Sequence, residues 1–163
     1  MNEQTDTDEK TGTFVVTHAE EASAMIRDVD TAQVHTLSSN PGLEARDVLE
    51  ATVAPEPPLE VTWQVVDVES RRQVDVVDSD LEPTQASQET VADADVGDVV
   101  RTERAGRGEI HVLAVPPEGA EETAREVLED LETVARAARL EAVTVEVRCA
   151  PAAGVVSVRY LPD

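Results

Sequence analysis

A chain of 163 residues has room for one ordinary domain or two small ones, and this one sets thirty-five Asp and Glu against thirteen Lys and Arg, a formal net charge of −22. Lys10 is its one lysine, so arginine supplies almost all the positive charge. A single cysteine, Cys149, excludes an internal disulfide and a cysteine metal cluster, and no apolar run approaches the ~20 residues that span a bilayer.

Disorder of an acidic chain predicts few apolar residues. Here 40% of residues are hydrophobic and they recur with a period, so a folded protein is expected. Carboxylates hold water and cations, whereas long lysine stems expose apolar carbon when salt strengthens hydrophobic association. In molar salt the Debye length is about 3 Å, which screens most of the self-repulsion. The composition therefore predicts a halophilic protein with an acidic surface. Met1 to Lys10 is polar and acidic, the opposite of a signal peptide, and the expected location is the cytoplasm.

Residues 1–11 read as a disordered acidic tail. Gly12 to His18 is the first strand, with Phe14 and Val16 on one face; Ala24 to Asp28 and Gln33 to Leu37 follow. Ser38-Ser39-Asn40-Pro41-Gly42 is a turn cluster. In Val48 to Val53, Leu49, Ala51 and Val53 share a face, until Pro55, Pro57 and Pro58 interrupt. Val61, Trp63 and Val65 share the next face, and the phase slips at Val65-Val66, which predicts a bulge. Gln73 to Val77 reads as the last strand of a small barrel over 12–78, of OB or SH3-like size.

Residues 79–98 read as a linker, with Thr84 placed to cap a short helix. Residues 99–163 read as an antiparallel β-β-α-β-β module, so the fold class is mixed β and α+β. Its first hairpin turns at Ala105-Gly106-Arg107-Gly108. Ala124, Val127, Leu128, Leu131, Val134, Ala135 and Ala138 form one face of a helix over about 120–140, expected to cover Val145, Val147 and Cys149. Glu121 and Arg125 stand at i,i+4 spacing for an ion pair.

The runs TGTFVVTHAEE, HTLSSNPGLEARDVLEATVAPEPP, VTWQVVDVESRR, GEIHVLAVPPE and VVSVRYLP resemble an uncharacterised family of haloarchaeal proteins, a domain of unknown function. The resemblance covers nearly the whole chain. It implies life in high salt and brings no activity, cofactor or site residue.

No catalytic residue, cofactor site or metal site is expected. His18, His35 and His111 sit far apart in separate strands, without zinc spacing or a nucleophile elbow. Cys149 alternates with Val145 and Val147, the pattern of a small core residue. Asp28-Val29-Asp30 and Asp93-Ala94-Asp95 lack the glycine and glutamate that complete a calcium loop. Gly106-Arg107-Gly108 has no following helix and no Lys-Ser/Thr pair, so it is a hairpin turn rather than a phosphate loop. Arg71, Arg72, Arg101, Arg104 and Arg107 are the candidate nucleic-acid contacts, opposed by the surrounding carboxylates. The expected function is non-enzymatic: a binding or adaptor protein in a protein or ribonucleoprotein assembly. Direct RNA or single-stranded DNA binding through the arginine hairpin is the alternative, and an enzyme without a recognisable motif the third.

Overall fold

The computed structural model describes residues 9–104 and 107–162. Residues 1–8 of the expected acidic tail, and Ala105 and Gly106 of the expected hairpin turn, lie outside the described residues. The chain divides into two compact units. One takes the residues up to Val74 together with Val134–Arg139, and the other takes Asp75–Thr133 and the residues from Leu140 onward.

The first unit is a closed barrel in the order β1-β2-β3-β5-β4. Its strands are β1 (Lys10–Ala19), β2 (Ala24–Asp28), β3 (Val34–Leu37), β4 (Asp47–Pro55) and β5 (Trp63–Gln73). Local chemistry makes the turns. The Asp28 carboxylate accepts from the N–H groups of Asp30 and Thr31 at 2.8 and 3.0 Å, and Asn40 Oδ1 accepts from Gly42 and Leu43. Strand alternation then sends Phe14, Val16, Ile26, Leu37, Leu49, Ala51 and Val53 inward as one cluster. Each fully buried Phe, Leu or Ile side chain there stabilises the fold by about 1.5–3 kcal/mol. The opposite side of the same strands is buried at Val15 and Val48, which face each other across the β1–β4 pair. Arg139 donates from Nη1 to the carbonyl of Val29 at 2.7 Å.

The phase slip at Val65-Val66 is a bulge: β5 pairs Val65 with Val53 and Asp67 with Thr52, leaving Val66 unpaired. A second bulge leaves Glu69 unpaired. The barrel closes through one parallel pair, Leu37 beside Trp63. Two expectations are corrected. Val61 lies before β5, exposed, and does not share the core face with Trp63 and Val65. Asp75–Asp78 is not a barrel strand, because Gln73 already pairs with Asp47, the first residue of β4, and no partner remains beyond it. It forms β6 (Asp75–Asp78) of the second unit instead.

The second unit is a five-stranded sheet in the order β6-β9-β10-β8-β7, with β7 (Val99–Glu103), β8 (Glu109–Ala114), β9 (Thr144–Ala150) and β10 (Val155–Leu161). These last four strands pair antiparallel, while β6 joins β9 in parallel as an edge. Helix α1 (Gln85–Thr90) is capped by Thr84, whose hydroxyl accepts from the Ser87 N–H at 3.1 Å. Just after it, Val91 and Ala94 pack on Val112, Ala114 and Val155. Gly108 at φ 98° lets the β7–β8 hairpin pass close to β10, since a Cβ there would stand 2.2 Å from the Tyr160 carbonyl oxygen.

The expected helix over 120–140 is two: α2 (Ala120–Glu129) and α3 (Leu131–Arg139). Asp130 breaks it, with extended backbone at ψ 126° and its carboxylate accepting from the Glu132 N–H at 2.9 Å. That is N-cap chemistry placed inside an apolar stripe. Helix α2 lies along β9. Val134, expected over the sheet, instead belongs with the barrel unit, and Leu131 is half-buried. Among the described residues no helix is long and apolar enough to cross a membrane.

Candidate protein-interaction surface

The loop from β4 to β5 carries a cis bond between Pro57 and Pro58 and is held by one carboxylate. Glu56 accepts from the hydroxyls of Ser38 and Thr62, the second at 2.9 Å. Its backbone N–H donates to the Thr62 carbonyl at 2.8 Å, and its carbonyl accepts from the Glu60 N–H at 2.9 Å. The Ser38 hydroxyl, then that of Thr62, hold the Glu56 carboxyl below its ordinary range, because both bonds favour the ionised form. The loop thus has a set shape, and it presents Leu59 at 77% and Val61 at 72% exposure. Val66, at the bulge, is half exposed. A cavity of about 430 Å³ lies here, lined by Ala54, Pro55, Pro57 and Val66 together with Glu9 and Glu60. Single exposed aliphatics are ordinary, whereas two on one hydrogen-bonded loop, with Val66 of β5 and a cavity beside them, form a patch of the interaction kind.

The candidate arginines divide between the units. Arg71 and Arg72 belong to the barrel; Arg101, Arg104 and Arg107 belong to the second unit. Arg71 Nε meets the buried Asp47 carboxylate at 2.8 Å, with Glu44 at 3.8 Å, so its charge is matched twice. Arg72 is engaged as well. Arg104 donates from Nη1 to the Arg107 carbonyl at 3.1 Å, which ties the hairpin end, while Arg101 and Arg107 are exposed. Trp63 is half-buried, its ring 4.3 Å from that of His35 and 5.7 Å from Lys10 Nζ.

The histidines do not converge. His18 is exposed beside the Thr17 hydroxyl. His111 is buried, 3.0 Å from Glu109 Oε1, with its ring 4.9 Å from that of Tyr160. His35 is buried between Phe14 and Trp63, and neither ring nitrogen has a hydrogen-bond partner among the described residues. Among the described residues no group of His, Cys, Asp and Glu could hold a metal ion.

Cys149 departs from the core position expected of it. It is half-buried and lines a cavity of about 310 Å³ with Asp78, Glu121, Arg125 and Leu128. Burial pushes its thiol up, and the charges of Glu121 and Asp78 push it further. An activated nucleophile needs the reverse, an electropositive neighbourhood. Asp78 arrives through the parallel β6–β9 pairing, which places it opposite Val147. No ion pair joins Glu121 to Arg125 among the described residues; both side chains line this cavity instead.

The sequence alone does not single out the apolar loop, because Pro55, Pro57 and Pro58 signal only the end of a strand. Its signal was Leu59 and Val61 standing between Glu56, Pro57, Pro58 and Thr62, in a segment with turn chemistry at both ends. Barrel, second sheet and short helices define a mixed α+β protein built mostly of strands. The chain belongs to DUF5812, a family of unknown function whose model matches residues 10–149. No curated protein and no solved structure matches it.

Proposed function

We propose that this protein is a non-enzymatic adaptor of a halophilic cytoplasm, of haloarchaeal origin, that binds a protein partner within a protein or ribonucleoprotein assembly. The carrying observation is the β4–β5 loop, whose own hydrogen bonds hold Leu59 and Val61 out in solvent. Preorganised apolar groups bind without an ordering cost at the moment of contact. Molar salt strengthens apolar association while it screens surface charge, so such a patch suits that solvent. The charge of −22 and the single lysine support the halophilic part of the reading. Glu9 and Glu60 in the cavity lining fit a partner segment of aliphatic residues flanked by Lys or Arg.

The test is affinity purification from cells that make the protein, in molar potassium chloride, with and without nuclease. Wild type is compared with a Leu59→Ser, Val61→Ser double variant. A partner protein retained after nuclease and lost from the variant is the expected result. Release of everything by nuclease would favour nucleic-acid binding, and identical recovery with both proteins would overturn the loop as the binding surface.

A further inference from the structure

The face of the second sheet turned away from α2 carries a polar group that the barrel surface does not explain. Register puts Ser157 across from Arg148 and Arg159 across from Glu146, all on the side opposite Val145, Val147, Val158 and Tyr160. Arg148 Nη2 lies 3.0 Å from Glu146 Oε1, and Arg159 Nε lies 3.2 Å from the same oxygen. Two guanidinium groups therefore share one carboxylate. Their side chains are 14% and 16% exposed, so the charges are largely withdrawn from water, with only a small part of each side chain at the surface. Among the described residues, Glu146 is the one acidic group that pairs with either, in a chain with thirty-five acids.

The hydrogen bonding is equally incomplete. Arg148 Nε and the hydroxyl of the fully buried Ser157 have no hydrogen-bond partner among the described residues, and Arg159 Nε, although 3.2 Å from Glu146 Oε1, makes no aligned hydrogen bond to it. Buried polar groups are normally satisfied, and a guanidinium brings five donors in a planar fork. Burial, then the charge of Arg148, lowers the Arg159 guanidinium below its ordinary value; Glu146 opposes this, and Arg104 adds to the repulsion. Withdrawn cations with an unmatched charge are costly, and a ligand anion would relieve that cost. Planar forks recognise the oxygens of phosphate in pairs, which a lysine could not do.

We propose that the guanidinium groups of Arg148 and Arg159, beside the buried Ser157 on β10, form a binding site for the phosphate group of a ligand. Glu146 spaces the two guanidinium groups and competes with the ligand for them. This site is independent of the barrel loop and uses none of its residues.

Calorimetric titration of the full chain tests it, with inorganic phosphate, phenyl phosphate and dimethyl phosphate as separate probes and acetate as the control anion. Inorganic phosphate is expected to bind saturably, with Kd on the order of 1 mM or tighter. Arg148→Gln should weaken it about tenfold, a change of about 1.4 kcal/mol. Glu146→Gln should tighten it severalfold, because it removes the competing carboxylate. That second variant keeps the test decisive if Arg148→Gln does not fold. Phenyl phosphate binding more tightly than phosphate identifies a monoester source, and tighter dimethyl phosphate binding identifies a diester. No saturation by any of the three, acetate binding as well as phosphate, or weaker binding in Glu146→Gln would overturn the proposal.

Discussion

The carboxylate of Glu56 accepts the hydroxyl of Ser38, and so ties the loop after β4 to the end of β3. The Thr62 hydroxyl completes the clamp from the other end of the loop. Both bonds favour the ionised acid, so the Glu56 carboxyl titrates below its ordinary range. The stability this gives is full above the unfolded carboxyl's value, about 4.3, and is lost as pH falls through the lower folded value. We expect the Glu56→Gln variant to exchange the Glu60 amide hydrogen severalfold faster at neutral pH, while the global midpoint barely moves. Hydrogen exchange corrected for intrinsic rates measures this. An unchanged rate would mean that the loop is held by its backbone alone.

His35 should make the barrel sensitive to mild acid. Burial, and then the charge of Lys10, lowers its imidazole below the ordinary range, while Asp28 acts weakly in the other direction. The unfolded chain then binds a proton that the folded chain refuses. Stability is therefore full above about pH 6.5 and falls below it, until the folded imidazole itself takes a proton. Denaturant midpoints at pH 7.5 and 5.5 should differ in the wild type, and the difference should shrink in a His35→Phe variant. Equal shifts in both proteins would place the acid sensitivity elsewhere.

Cys149 should react slowly. Its thiol is raised by burial and by Glu121 and Asp78, so little thiolate exists at neutral pH. Alkylation by iodoacetamide at pH 8 should run well below the rate of the unfolded chain. The Asp78→Asn, Glu121→Gln double variant should speed it severalfold by removing two repulsive charges, with no change in unfolding midpoint required. A wild-type rate equal to that of the denatured protein would contradict the half-buried placement.

What could be read from the sequence follows the kind of signal. The strand Ala24–Asp28 is legible to the residue, and the slip at Val65-Val66 marks a true bulge, because side-chain direction is a local property. Long-range pairing left no local trace. Nothing in Asp75–Asp78 says that it joins β9 in parallel rather than closing the barrel, and that pairing alone brings Asp78 to Cys149. The 120–140 stripe was correct in period yet hid the break at Asp130, since an aspartate inside a helix and one at an N-cap look alike in a window average. Arg148 and Arg159 were invisible as a group: they lie on different strands, and only the β9–β10 register brings both to Glu146.

Salt tests the reading of the composition. With −22 on 163 residues, self-repulsion opposes the compact state at low ionic strength and is screened at high. Thermal midpoints should rise steeply from dilute to molar potassium chloride. Because salting also favours apolar burial, the rise should continue past the range in which screening saturates. A midpoint independent of salt would remove the halophilic interpretation.

Nucleic-acid binding can be decided directly. Arg101, Arg104 and Arg107 share a hairpin, but Arg104 is bonded to the Arg107 carbonyl, and Arg71 is matched by Asp47 and Glu44 in the other unit. Trp63, the large aromatic that could stack on a base, meets His35 instead. Each phosphate contact also releases fewer counterions' worth of free energy as salt rises. We therefore expect no measurable binding of mixed RNA or DNA single strands at molar salt by fluorescence anisotropy, and only weak binding in dilute buffer. The Arg101→Ser, Arg104→Ser, Arg107→Ser variant should behave like the wild type at molar salt. Micromolar binding by the wild type that this variant loses, with a flatter salt slope, would promote the hairpin to the functional surface and displace the barrel loop.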